Sequence, residues 1–170
     1  MDKKKIDKIF LGGTCNEDMW REEIVEPILK ERGIPFFNPV VKDWSPACIQ
    51  LEDEAKKESD VLLFVITSKM TGIYSIAELT FAAVKEWQKY TSVIIVEDGF
   101  TEAQLKSLQA TTNLIKDYCL FTFCKREEVK SRVEALLEII VETKNGETIG
   151  TDIPEPSKVE EEIKKEVVDK

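Results

Sequence analysis

Apolar residues in this chain fall into two patterns that alternate from one end to the other. Residues 6–11, 34–38, 61–66, 92–96 and 120–123 are short apolar runs, and each predicts a strand. The run 61–66, Val-Leu-Leu-Phe-Val-Ile between Asp60 and Thr67, is uninterrupted, which predicts a central parallel strand buried on both faces. Between the runs, apolar residues recur at helical spacing. Trp20, Ile24, Ile28 and Leu29 predict a helix over 17–32, stopped by Gly33 and kinked or broken at Pro27. Ala47, Leu51 and Ala55 predict the inward line of a helix over 47–59. Ile76, Leu79, Ala83 and Trp87 do the same for a helix over 75–90, and further helices are predicted over 102–116 and 126–143. Strand and helix alternate, so the expected fold is α/β, a parallel sheet with right-handed crossovers and helices on both faces.

The pattern stops near Lys144. Asn145-Gly146 is a turn signal, Pro154 and Pro156 follow, and the last twelve residues are mostly Glu and Lys. The chain therefore divides into one domain, residues 1–144, and a charged tail, 145–170. The 170 residues carry a net charge of −9, which argues against binding nucleic acid or an anionic membrane through bulk electrostatics. No apolar run is long enough to span a membrane, and Met-Asp-Lys-Lys-Lys is no signal peptide. The expected location is the cytoplasm. Cys15, Cys48, Cys119 and Cys124 form no Cys-x-x-Cys pair, and the chain has no histidine. Zinc sites and histidine-based nucleophilic catalysis are thereby disfavoured, no cofactor or metal is expected, and chemistry falls to carboxylates, cysteine, tyrosine or lysine.

Glu78 occupies the place where an open α/β sheet collects ligands, just past the carboxyl end of a central strand. Ser75-Ile-Ala-Glu78 also fits a capping box, with Glu78 bonding back to the Ser75 amide. The alternative reading is a carboxylate that faces a cleft and attacks an electrophilic sugar carbon. Glu52, Asp53 and Asp60 read either as an acidic solvated face or as the source of a second carboxylate; retaining glycoside chemistry places the two carboxyls about 5–5.5 Å apart. Gly12-Gly13-Thr14 is either a strand-to-loop turn or a place where a ligand approaches the backbone. Asn38-Pro39 and Asp43-Trp44 read as a turn with a packed aromatic, or as a place where Trp44 or Phe37 stacks on a nucleobase. Cys15 has no base partner and reads as a small packed residue.

In their order and spacing these pieces resemble the nucleoside 2-deoxyribosyltransferase family, in its nucleoside 2-deoxyribosyltransferase-like branch. The stretches are Ile9-Phe-Leu-Gly-Gly13, Trp20-Arg21, Phe37-Asn-Pro39, Asp43-Trp44, Glu52, Asp60-Val-Leu-Leu-Phe and Gly72-Ile-Tyr-Ser-Ile-Ala-Glu78-Leu79. The resemblance implies a flavodoxin-like three-layer sandwich with a five-stranded parallel sheet. It implies that Glu78 attacks C1′ of a 2′-deoxynucleoside and releases the base, with the sugar passing to another base or to water. Catalytic candidates are Glu78, Glu52 and Asp60; substrate-binding candidates are Gly12, Gly13, Asn38, Trp44, Asp53, Gly72 and Tyr74. It also implies a homo-oligomer that binds a small deoxynucleoside or deoxynucleotide and a nucleobase. Phe10, Tyr74, Ile76 and Thr80 depart from the family pattern, and Tyr74 is a candidate to replace the hydroxyl that Phe10 lacks. Two alternatives stand beside this expectation. One is a deoxynucleoside 5′-monophosphate N-hydrolase, with Gly12, Gly13 and Arg21 holding the phosphate; the other is a non-catalytic nucleotide-binding module.

Overall fold

The computed structural model describes residues 5–15, 17–43, 45–86 and 88–144. Trp44, Trp87 and the charged tail lie outside the described residues. Five strands, β1 (Ile9–Gly13), β2 (Phe36–Phe37), β3 (Val61–Ile66), β4 (Tyr90–Val96) and β5 (Leu120–Cys124), form one sheet in the order β2-β1-β3-β4-β5. Every pairing is parallel. The helices are α1 (Glu26–Glu31), α2 (Pro46–Glu58), α3 (Tyr74–Lys85), α4 (Glu102–Leu114) and α5 (Val129–Lys144). This is the flavodoxin-like order, in which the chain leaves β1 toward one edge and returns to build the other edge from β3.

The alternation of side chains along the strands sorts the interior into two cores. Ile9, Leu11, Val61, Leu63 and Val65 pack with Ile28 and Leu29 of α1 and with Val133, Leu137 and Ile140 of α5. Phe10, Leu62, Phe64 and Ile66 face the other way, onto Ala55 of α2, Leu79 and Ala83 of α3 and Leu108 of α4. Each residue of β3 is at most 1% exposed. Burial on both faces explains why its sequence is apolar throughout rather than alternating.

Two glycines permit the crowding at the end of β1. A Cβ on Gly12 would stand 2.3 Å from the Phe64 ring, and Gly13 has φ of +107° with its Cβ direction 2.1 Å from the Val65 carbonyl oxygen. Both glycines are thus accounted for by strand packing. Thr14 then ties β1 to the end of β3: its amide donates to the Val65 carbonyl at 2.9 Å, and its hydroxyl accepts from the Thr67 amide at 2.9 Å.

Local structure departs from the sequence expectation where polar groups are recruited inward. The helix predicted over 17–32 begins only at Trp20 and runs through a π-helical turn, Arg21–Val25, into α1. The break expected at Pro27 is this change of winding: Pro27 supplies no amide to the turn before it, and the π-helical turn immediately precedes it. Asp18 is the reason for the late start. Its 5%-exposed carboxylate accepts from the Thr67 hydroxyl, from the Trp20 amide and from Arg126 Nη1 at 2.9 Å. Burial alone would raise its pKa, but these donors outweigh it and hold the carboxyl below its usual range. In α2 the predicted inward line is wrong: Leu51 is 56% exposed and Ala47 is also exposed, whereas Ala55 is buried. The inward side carries Glu52 and Lys56 instead, both only partly exposed.

Candidate active site

The carboxyl end of β1 positions the first turn of α3. Ser75, in that turn, donates its hydroxyl to the Gly13 carbonyl at 3.2 Å. The capping box expected from Ser75 and Glu78 is not made: the helix starts one residue earlier, at Tyr74, with no side-chain cap. Glu78 is thereby released from the helix terminus and turned toward α2. Its side chain is 11% exposed, and Lys56 Nζ lies 2.6 Å from its Oε1. That oxygen is buried, and the ammonium holds it in a close charge-assisted contact.

Glu78 and Lys56 line a pocket of about 310 Å³ in the groove between α2 and α3, with Ile49, Asp53, Tyr74, Ala77, Phe81, Ala82, Lys85 and Glu86. That is the lower end of the size range of small-molecule sites. Lys56 also lies 5.1 Å above the Phe10 ring and 3.7 Å from Asp53 Oδ1. Burial would lower its pKa, but the Glu78 carboxylate, Asp53 and Glu52 outweigh that and raise it, so the ammonium stays charged. Glu52, one helical turn before Lys56, has a raised carboxyl pKa, first through burial and then through the nearby charge of Glu78. Tyr74 is raised by desolvation and by Glu78, so its phenol stays protonated and able to donate.

The structure brings Glu78, Asp53 and Tyr74 into the wall of one pocket; Glu52 is not in that lining, but stands near enough on α2 for the Glu78 charge to raise its pKa. Gly13 also meets α3, through Ser75, and Gly72 stands two residues before Tyr74. Asp60 is corrected: it stands before β3, at the amino end of the strands, where its Oδ2 accepts from the Asp7 amide at 2.7 Å and from Lys144 Nζ at 2.6 Å. It anchors chain segments rather than reacting. Asn38 directly follows β2. Its amide nitrogen donates to Glu22 and Glu26 at 3.2 and 2.9 Å, and its oxygen accepts from the Val40 amide, so the side chain fastens the turn after β2 to the α1 layer. Phe37 stacks on Phe10, with centroids 5.9 Å apart, and is no free platform for a base. Gly72 sits in open space at the bend before α3. Cys15 is exposed rather than packed.

Arg21 was a candidate phosphate ligand, and the structure removes it from that role. The side chain is 1% exposed and stacks 4.2 Å from the Trp20 ring. Its guanidinium donates to the carbonyls of Leu11 at 3.0 Å, Thr14 at 2.7 Å and Gly13 at 3.3 Å. These bonds engage all three guanidinium nitrogens. Lys56 is the residue that sequence reading missed. Its signal was the pair Glu52 and Lys56 at four-residue spacing, hidden within a run of charges. Among the described residues no group of three or more His, Cys, Asp or Glu side chains is arranged to hold a metal ion, and no helix is long and apolar enough to cross a membrane.

A comparison with curated proteins finds no match. Among solved structures, a conserved protein from Enterococcus faecalis V583 is similar, with a TM-score of 0.53 at 18% sequence identity over 81% of this chain and 99% of that one. At that identity the likeness concerns the fold. The family described as nucleoside 2-deoxyribosyltransferase like matches residues 6–100. That match takes in more than half of the 170 residues, from β1 through the helix that carries Glu78 and on past β4, and the chain belongs to this family.

Proposed function

We propose that the chain cleaves or transfers at the N-glycosidic bond of 2′-deoxynucleosides by a retaining double displacement. The observation that carries this reading is the Glu78 carboxylate, charge-paired and nearly buried, in the wall of a nucleoside-sized pocket. Glu78 Oε2 attacks C1′, and the C1′–N bond breaks with its electron pair leaving on the base. The base takes a proton from Glu52, whose raised pKa keeps it protonated to higher pH than an ordinary glutamate. The sugar is then held as an ester of Glu78. A second base or water attacks C1′ from the vacated side, returns the proton to Glu52 and restores the carboxylate. Tyr74 offers a donor from the pocket rim and Asp53 a polar contact for the sugar or base.

The neutral nucleoside is favoured over its 5′-phosphate. Arg21 is committed to carbonyls, and the pocket lining combines Lys56 and Lys85 with Asp53, Glu78 and Glu86, which leaves no net positive cradle. Incubation with deoxyinosine and adenine tests the reading. Deoxyadenosine as product marks transfer, and free hypoxanthine alone marks hydrolysis. Absence of both products overturns the proposal in favour of a non-catalytic module.

Glu52→Gln lowers kcat/KM by about 10²-fold or more, the usual size of a lost general acid. In the parent chain kcat/KM falls as pH rises through the raised pKa of Glu52, because the proton donor is lost. In the variant that alkaline limb is absent. An unchanged limb in the pH profile would assign the proton to another group.

The proposal includes a homo-oligomer in the cytoplasm. Tyr74 and Phe81, each 66% exposed, and Val84, 39% exposed, form an outward apolar stripe on α3 next to the pocket. A second copy covering it would close the pocket. Sedimentation equilibrium is expected to show a dimer or larger; a monomer at micromolar concentration counts against it.

A further inference from the structure

The reaction proposed above assigns no task to Lys56, yet its ammonium is buried beside two carboxylates. Its side chain is 12% exposed, with Nζ 2.6 Å from Glu78 Oε1 and 3.7 Å from Asp53 Oδ1. We propose that Lys56 is a positioning residue whose charge is balanced by Glu78 in the free enzyme and by Asp53 in the covalent intermediate; this rests on the glycosyl-transfer reading.

The argument is one of charge conservation in a poorly hydrated place. In the free enzyme Glu78 carries a full negative charge and Lys56 neutralises it. When the bond from Glu78 to C1′ forms, the carboxylate becomes a neutral ester, and the departing base carries away the electron pair together with a proton from Glu52. The ammonium remains. Loss of its nearest counter-charge beside the Phe10 ring would raise the energy of the intermediate unless another carboxylate closes in. Asp53 already stands at ion-pair distance on the same helix and takes over the pairing through a small movement of a long side chain. Glu52, newly ionised on the same side, adds to the hold. The contact with Glu78 Oε1 is a close ion pair, and as the Glu78 charge is lost on ester formation the long lysine stem lets the ammonium turn to Asp53. Before the reaction the same contact fixes one oxygen of Glu78.

The test is a double-mutant cycle read on the covalent adduct, with a 2′-fluorinated deoxynucleoside as the probe and intact mass as the readout. K56M lowers the labelling rate by about 30-fold or more while the KM for deoxyinosine changes by less than about 3-fold, and K56R recovers most of the rate. D53N lowers the fraction of enzyme held as adduct at fixed free base by about 10-fold in the parent chain and leaves it unchanged in K56M. Should the methionine variant fail to fold, the arginine background serves instead, and D53N retains its effect there. Labelling of K56M at the parent rate overturns the relay alone. So does an equal D53N effect with and without Lys56, or none with arginine. An unlabelled parent chain with neither base exchange nor base release overturns the glycosyl-transfer reading, and the relay with it.

Discussion

Glu78→Gln abolishes base exchange, lowering kcat by at least about 10³-fold, and removes the covalent adduct from the mass spectrum. Glutamine keeps the volume and the planar head group, so the pocket retains its shape. What it lacks is a charged oxygen able to form an ester at C1′. The variant still binds deoxynucleoside, because Tyr74, Asp53 and the apolar wall of Ala77 and Phe81 are untouched. Binding with turnover lost is therefore the expected combination, measured by calorimetry beside the exchange assay. Lys56 loses its 2.6 Å partner in this variant and keeps only the longer contact with Asp53, so a modest fall in melting temperature accompanies the loss of activity. Activity within about 10-fold of the parent would remove Glu78 from the role of nucleophile, whatever its position in the pocket.

Arg21→Met unfolds the protein more readily than any change within the pocket, by about 3–5 kcal/mol. The guanidinium reaches carbonyls on both β1 and the loop that follows it, and Trp20 covers its face. Methionine fills much of the volume but leaves the Leu11 and Gly13 carbonyls without that donor, in a place where water does not enter. Lysine does not rescue it, since one ammonium on a flexible stem cannot serve three oxygens in the geometry of a planar fork. The measurement is the urea midpoint, with about a 10 °C drop in melting temperature as a second readout. A phosphate-binding role makes the opposite forecast, with stability unchanged and a raised KM for phosphorylated substrates only. The Gly13 carbonyl also receives the Ser75 hydroxyl, so slackening this loop displaces the start of α3 and reaches Glu78 indirectly.

Much of the architecture was legible because burial on both faces writes itself plainly. Residues 61–66 could only be a central strand, and β3 has those bounds. The order of the other elements followed from alternation, and the family resemblance supplied the flavodoxin-like class. Of the residues that line the candidate pocket, Glu78, Asp53 and Tyr74 were in view from the sequence and Lys56 was not. Around the pocket the usual rule reverses, with Glu52 and Lys56 facing inward and Leu51 outward, so a search for the apolar side of α2 chose the wrong line. Ser75 misled for a similar reason, since its hydroxyl serves β1 rather than its own helix. Asp60 and Asn38 carry the residue types of a site, but their partners lie far along the chain, at Lys144 and at Glu26, and spacing holds no record of such contacts.

The two margins of the sheet are built unequally. At one side β2 pairs through only two residues, Phe36 and Phe37, and offers little template to another chain. At the other, β5 runs for five residues with Leu120 and Phe121 exposed at its start. An unprotected apolar rim of that length invites strand addition, whereas a stub does not. Aggregation during refolding or concentration therefore starts at the β5 margin, and a lysine in place of Phe121 is the natural way to blunt it.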